Sequence, residues 1–330
     1  MKPKTHDKLS QSEYRNRAAG CLIGLAIGDA FGDAARDPDN QFLYGITTDF
    51  PEKATGSTDD TEFALLSAEI LIQSNGNPSR ADVEKAWRQH VVSQDQLRRG
   101  GASEREAAAN LKRGILAPDS GKYNSYHTSD GAAMRAPAAG VVAMGNPDWA
   151  AELTECDAEI SHWNDGIWGA QAVSAAVAVA MAGGSVADVY AEAVRRSPVG
   201  SWLRNNFDRA TTILEQTKDD LELAWMPIHQ VLRCEYKAAV PEAVVSAFAV
   251  LRLTKGDFRK GIIYAGNFGR DSDTIGAIVG ALAGAINGLN AIPSSWTEKV
   301  RYPNGTCLQF TKGLDIIEIA HKLTELKPAK

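Results

Sequence analysis

Between Ile275 and Leu289 glycine recurs at 276, 280, 284 and 288, every fourth residue of an otherwise apolar run. On a helix that spacing puts all four glycines on one face, where bare backbone lets a neighbouring helix approach closely. The run is about 15 residues long, short of the roughly 20 a membrane span needs, so it reads as a helix buried in a protein core. Composition agrees with helix-on-helix packing. About 50 of the 330 residues are alanine, the best intrinsic helix former and a poor strand former. Strand signals are confined to Phe42–Thr48 and Leu308–Lys312, and both are weak. The apolar pattern predicts helices over Tyr14–Gly28, Thr61–Ile72, Ser79–Val92, Ala132–Met144, Asp165–Gly183, Val186–Arg196, Ala239–Thr254 and Ile275–Leu289. No linker or repeat divides the chain. The expectation is a single compact all-α domain over residues 13–330 behind a flexible polar tail, residues 1–12.

Charge and cysteine content narrow the function. A net charge of −6 and a pI of about 5.6 argue against a protein that neutralises phosphates on DNA or RNA. Cys21, Cys156, Cys234 and Cys307 lie far apart with no CxxC pair, as expected of free thiols in a reducing cytoplasm. The apolar stretch Ala18–Ile27 is interrupted by Gly20 and Gly24 and lacks a small-residue cleavage site, unlike a signal peptide. Neither a nucleic-acid nor a membrane partner is expected.

Two short stretches carry the chemistry. Gly56-Ser57-Thr58-Asp59-Asp60-Thr61 and Gly269-Arg270-Asp271-Ser272-Asp273-Thr274 each lead into an apolar helix. Each offers two carboxylates and a threonine hydroxyl within one turn, the oxygen donors that Mg²⁺, Mn²⁺ or Ca²⁺ prefer. Two such clusters facing each other could hold two ions about 3.5–4 Å apart. The competing reading is helix capping, which Asp and Thr also favour, and Asp59 with Glu62 has the capping-box spacing. Capping uses one side chain, however, and each turn carries three. Crowded carboxylates repel one another unless a cation or protons neutralise them. Metal binding is therefore the favoured reading.

Two further features stand beside these. Ser129-Asp130-Gly131-Ala132-Ala133-Met134-Arg135 is a small-residue turn opening a helix, where backbone N–H groups can hold a phosphate. His162 lies in an aromatic, polar junction, Ile160–Asp165, just before another apolar helix, where a structural or a ligand-contacting role is equally open. P-loop, GxGxxG, GxSxG and HExxH patterns are missing, and with them the usual markers of kinases, Rossmann dehydrogenases, serine hydrolases and zinc proteases.

Five ordered motifs together resemble the ADP-ribosylglycohydrolase family, which includes the dinitrogenase-reductase-activating glycohydrolases. They are GLAIGDAFG at 24–32, STDDT at 57–61, DGAAMR at 130–135, ISH at 160–162 and NFGRDSDTIG at 267–276. The resemblance spans residues 15–290 and implies an orthogonal all-α fold with a binuclear, usually magnesium, centre in a cleft; manganese could substitute. It further implies Thr58, Asp59, Asp60, Asp271, Asp273 and Thr274 as metal ligands. Asp29, Ser129, Asp130, Gly131, Arg135, His162, Asn164, Asn267, Phe268, Gly269 and Arg270 become the substrate-binding set. Family members often carry a glutamate four residues after GDxxG, in a loop that closes over substrate. That position is Arg36 here, with Asp33 and Asp37 nearby.

The resulting expectation is a cytoplasmic, Mg²⁺-dependent hydrolase that cleaves the C1–N or C1–O bond of an ADP-ribosyl group on a protein side chain. Asp59 or Asp60 is the expected general base. Arg36 leaves two alternatives in play: a free nucleoside or nucleotide riboside as substrate, or an ADP-ribose-binding relative with weak turnover.

Overall fold

Glycine meets glycine at the centre of the molecule. The structure, a computed structural model, describes residues 9–36, 46–52, 54 and 56–326, with the side chain of Arg36 outside that set. Of the expected 1–12 tail, residues 1–8 fall outside it, as do Asp37 and Phe42–Gly45 of one candidate strand. In chain order the helices are α1 (Gln11–Arg36), α2 (Asp59–Gln73), α3 (Arg80–Trp87), α4 (Ala102–Lys112), α5 (Asp119–Lys122) and α6 (Gly131–Arg135). They continue with α7 (Pro137–Val142), α8 (Pro147–Ala158), α9 (Asp165–Met181), α10 (Val186–Arg196), α11 (Trp202–Gln216) and α12 (Leu221–Leu232). The last are α13 (Val240–Leu253), α14 (Phe258–Asn267), α15 (Ser272–Asn287), α16 (Ser294–Val300) and α17 (Ile316–Leu323). No strand occurs among the described residues, only an isolated antiparallel bridge between Ser129 and Ala239. The other candidate strand, Leu308–Lys312, contains a 3₁₀ turn, Gln309–Thr311.

The partner of the glycine row on α15 is α1, which carries a matching row. A Cβ on Gly20, Gly24 or Gly28 would run into the backbone carbonyl of Gly284, Gly280 or Gly276 respectively, and one on Gly32 into that of Ser272. The two helices therefore run antiparallel with backbones in contact, and Ser272 Oγ closes the seam by donating to the Gly32 carbonyl at 2.9 Å. By length and apolarity α1 could cross a membrane, but 89% of its apolar window is buried inside the fold, as befits a core helix. Around this pair α9 and α13 add nearly all-apolar helices to one large core. A smaller cluster containing Phe63, Trp87, Leu111, Met134 and Leu308 lies beside it.

Local differences from the sequence reading have local causes. Ala132–Met144 is two short helices because Pro137 has no N–H to continue the first. α2 and α15 each begin two or three residues earlier than their apolar pattern indicates, so the aspartates occupy first helical turns. The expected capping box of Asp59 and Glu62 does not form: Thr58 Oγ1 accepts from the Asp60 N–H, making Thr58 the cap. Buried Glu62 instead accepts from the backbone of Thr306, Cys307 and Leu308 at 2.6–2.9 Å, tethering the C-terminal segment.

Candidate active site

The glycine seam places the C-terminal half of α1, which carries Asp29, beside the start of α15, which carries Asp273. Asp29 is fully buried and satisfied four times over. Its carboxylate accepts from Thr58 Oγ1 (2.6 Å), Thr58 N (3.0 Å), Thr61 N (3.2 Å) and Thr61 Oγ1 (2.5 Å). Asp29 thus pins the start of α2 to α1 and aims Asp59 and Asp60. Its expected role in binding substrate becomes one of holding, since all its hydrogen bonds run to α2 and its cap.

Those turns meet in a cavity of about 200 Å³ lined by Asp59, Asp60, Glu104, Ser129, Asp130, Gly131, Lys237, Asp271, Asp273 and Thr274, among others. Burial, then Glu104 and Asp273, push the Asp59 carboxyl well above the usual range. Burial, then Asp273 and Asp29, do the same to Asp60, and burial with Asp271 and Asp273 to Asp130. Asp60 Oδ1 and Asp130 Oδ2 are buried without a hydrogen-bond partner, a costly state for oxygens that carry charge. Capping explains none of this: Thr58 already caps α2, and Asp271 makes no side-chain cap on α15.

The donor set suits a hard cation, being all oxygen with two orphaned carboxylate atoms. Among the described residues no three His, Cys, Asp or Glu side chains converge closely enough to hold an ion unaided. Mg²⁺ is commonly bound by one or two carboxylates and keeps several waters, which this looser arrangement accommodates. Asp59, Asp60, Asp271 and Asp273 with the Thr274 hydroxyl supply candidate ligands at the cavity wall. Thr58 stands behind that wall, its hydroxyl given to Asp29.

Behind Ser129 a buried ring of hydrogen bonds braces the other wall. Arg135 Nη2 donates to Ser161 Oγ (2.8 Å), which lies 2.7 Å from His162 Nδ1, and His162 Nε2 lies 3.0 Å from Ser129 Oγ. Ser129 Oγ then donates to Ser103 Oγ and Ser103 Oγ to Glu104 Oε2, each at 2.8 Å. Arg135 Nη1, 3.4 Å from Glu104 Oε1, completes the circuit. Arg135 also pairs with Asp157 at 2.7 Å and stacks its guanidinium over Trp87.

The remaining sequence-derived residues divide by place. Ser129, Asp130 and Gly131 line the cavity, and Gly131 is required there because a Cβ would strike the Glu104 carboxylate. His162 and Arg135 sit one layer behind. Asn164 is exposed at the head of α9 with φ +48°. Asn267 fastens Thr47 by a pair of backbone contacts, 2.9 and 2.7 Å, and Phe268 packs on Trp225 and His229. Gly269 and Arg270 both have positive φ, a conformation strained for arginine. Glu242 grips the Arg270 guanidinium with both oxygens, at 2.5 and 3.0 Å, so Arg270 shapes the approach to Asp271. Sequence reasoning missed Ser103, Glu104 and Lys237, which lie in loops or helices without a motif; a buried Glu on an alanine-rich helix face was the one available sign.

The two aspartate turns open on one cavity, with Asp29 holding the first of them. A sequence model described as ADP-ribosylglycohydrolase matches residues 10–330. The chain belongs to the ADP-ribosylglycohydrolase family. This family member is 30% identical over 302 residues to an uncharacterised protein of Archaeoglobus fulgidus, covering 88% of this chain and 92% of the other. It is 25% identical to the ADP-ribosylarginine hydrolase Tri1 of Pseudomonas putida, over 89% of this chain and 76% of that protein. With the ADP-ribosyl-[dinitrogen reductase] glycohydrolase of Rhodospirillum rubrum it shares 24% identity over 90% and 92% of the two chains. A solved chain from an ADP-ribosylglycohydrolase-related protein complex superimposes with a TM-score of 0.66 at 23% identity, over 96% and 99% of the chains, and bears out the all-α fold.

Proposed function

We propose that this family member is a Mg²⁺-dependent hydrolase that removes an ADP-ribosyl group from a protein side chain. The observation that carries the reading is the cavity itself, which Asp59, Asp60, Asp130, Asp271 and Asp273 line and where two buried carboxylate oxygens, Asp60 Oδ1 and Asp130 Oδ2, have no hydrogen-bond partner. Bound there, Mg²⁺ would act as a Lewis acid toward ribose hydroxyls and a water.

Asp59 or Asp60 takes the proton from water as its oxygen bonds to ribose C1. The C1–N or C1–O bond breaks, and the same aspartate returns its proton to the leaving nitrogen or oxygen of the side chain. Both aspartates line the cavity, as a base acting on a water held there must. Positive charge develops on the ribose in the transition state, and the carboxylate wall including Glu104 is placed to stabilise it. The Arg135–His162–Ser129 ring braces that wall through Ser103 and Glu104.

Support for a protein-linked substrate comes from the relatives of Pseudomonas putida and Rhodospirillum rubrum, whose names specify ADP-ribosylarginine and ADP-ribosyl-dinitrogen reductase. A free nucleoside or nucleotide riboside is the second reading, and it rests on Arg36 at the usual glutamate position. The four free cysteines suit the cytoplasm as the working compartment. A product assay tests all of this. ADP-ribosyl-arginine peptide, ADP-ribosyl-serine peptide and free ribosides are incubated with the protein and Mg²⁺, with EDTA as control. EDTA-sensitive release of ADP-ribose supports the first reading, release of free base or ribose the second, and no release from any substrate overturns both.

A further inference from the structure

Two cations line the carboxylate cavity among the described residues, Arg99 and Lys237. Arg99 is engaged at 2.5 Å by Asp33, on the last turn of α1. Lys237 turns the other way: its Nζ lies 2.9 Å from Oδ1 of Asp271. Its backbone is held in place, because the Ala238 carbonyl accepts from Asp130 N (2.9 Å) and Val240 N donates to the Thr128 carbonyl (3.0 Å). Tyr236, the preceding residue, packs on Tyr126. The stem beyond that anchor is free to swing, since the Lys237 side chain is 46% exposed while that of Asp271 is only 9% exposed.

We propose that Lys237 controls access of the divalent cation to Asp271, and that the diphosphate of the substrate relieves that control. The inference rests on the metal-dependent reading above. An ammonium on Asp271 Oδ1 competes with a metal for the same oxygen and repels it as a like charge. A diphosphate entering the cavity mouth offers the ammonium a doubly charged alternative, and a four-carbon stem can reach for it without backbone movement. The contact of Lys237 with Asp271 Oδ1 is then broken, and that oxygen can serve as a ligand. Metal and diphosphate thereby assist each other through one side chain, and thermodynamic linkage requires the assistance to be equal in both directions. A riboside without phosphate lacks the group that draws Lys237 away, so Lys237 also selects for diphosphate-bearing substrates.

The test is a Mn²⁺ titration of the full-length protein, followed by the electron paramagnetic resonance signal of free Mn²⁺, alone and with saturating ADP-ribose or adenosine. In the wild type ADP-ribose should tighten Mn²⁺ binding about tenfold, within the ordinary range of such couplings, and adenosine should not. Lys237→Met, at a half-exposed position, should keep the wild-type melting temperature within a few degrees. It should bind Mn²⁺ alone about tenfold more tightly, with most of the ADP-ribose effect gone. Lys237→Arg should behave as wild type, because it keeps the charge. Unchanged Mn²⁺ affinity and unchanged coupling in Lys237→Met, or Lys237→Arg behaving like Lys237→Met, overturns the role of the ammonium while leaving the metal site standing. If neither wild type nor variant takes up Mn²⁺ under any of these conditions, the metal reading fails and this inference fails with it.

Discussion

His162 Nε2 lies 3.0 Å from Ser129 Oγ, and the chemistry of Glu104 decides which of the two donates. A carboxylate only accepts, so Ser103 gives its proton to Glu104 and Ser129 gives its own to Ser103, which leaves Ser129 to accept from Nε2. In the neutral imidazole Nδ1 then carries no proton and accepts from Ser161, whose oxygen accepts from Arg135. Every link points from guanidinium to carboxylate. The tautomer follows from the network, and burial together with Arg135 holds the His162 pKa well below its usual value, in keeping with a neutral ring.

Breaking that ring has a predictable acid signature. The folded pKa of His162 is depressed, so its contribution is intact above about 6.5 and is lost as pH falls, with a slope of at most about 1.4 kcal/mol per pH unit. Wild-type stability in urea should therefore drop more steeply below pH 6.5 than that of His162→Gln, which has nothing to protonate. His162→Phe should cost about 1–3 kcal/mol at pH 7.5, because Ser161 and Ser129 lose a buried partner. Parallel acid limbs for wild type and His162→Gln would contradict the neutral-ring assignment.

The carboxylates act in the opposite direction. Folded pKa values of Asp59, Asp60 and Asp130 are raised, so the metal-free fold is favoured below their unfolded value near 3.8 and loses that advantage as pH rises. Asp130→Asn cannot lose it. In EDTA the melting temperature of Asp130→Asn relative to wild type should therefore climb as pH rises above about 4, and Mg²⁺ should raise the wild-type value more at pH 8 than at pH 5. A difference that shrinks with pH runs against this electrostatic account.

Asp60→Asn separates catalysis from folding. The amide keeps the shape and removes one of the crowded charges, so metal-free stability should hold or rise. The Mg²⁺-induced rise in melting temperature should shrink, and turnover should fall at least about 100-fold, as for loss of a general base. Full turnover in this variant would reassign the base to Asp59 or Glu104.

Gly28→Ala sets helix propensity against packing. Alanine is the better helix former by about 1 kcal/mol, but its Cβ would enter the Gly276 carbonyl, which belongs to the backbone and has no rotamer to yield. Packing wins in this comparison, with a net loss of about 1–3 kcal/mol, read as a lower melting temperature. The displaced α1 should also carry Asp29 away from Thr58 and weaken the Mg²⁺ response.

The sequence made much of this legible, and the remainder was hidden for physical reasons. The glycine row at 276–288 announces a close helix contact, yet its partner row shows in the sequence only as interruptions of an apolar stretch, because pairing across 240 residues leaves no local trace. Both aspartate turns, Ser129 and His162 were identifiable as chemistry-bearing residues out of place in an apolar setting. Arg135, Asn267 and Arg270 were also found, but their orientation was not: each could point at a ligand or at a buried partner, and Asp157, Thr47 and Glu242 take them. Lys237 and Glu104 were invisible, being ordinary residue types whose meaning arises only from what the fold sets opposite them.

The backbone seam also fixes an order of events during synthesis. Gly32 and the hydroxyl it accepts from, on Ser272, are separated by 240 residues. At roughly 5–20 residues per second, α1 leaves the ribosome some 12–50 seconds before the helix that fits it. A helix with side chains on the facing side cannot stand in, because a surface of bare backbone demands a partner equally stripped of side chains. The nascent chain thus carries a long apolar helix with its best face uncovered while the intervening 240 residues are made, and the two aspartate turns come together only after that.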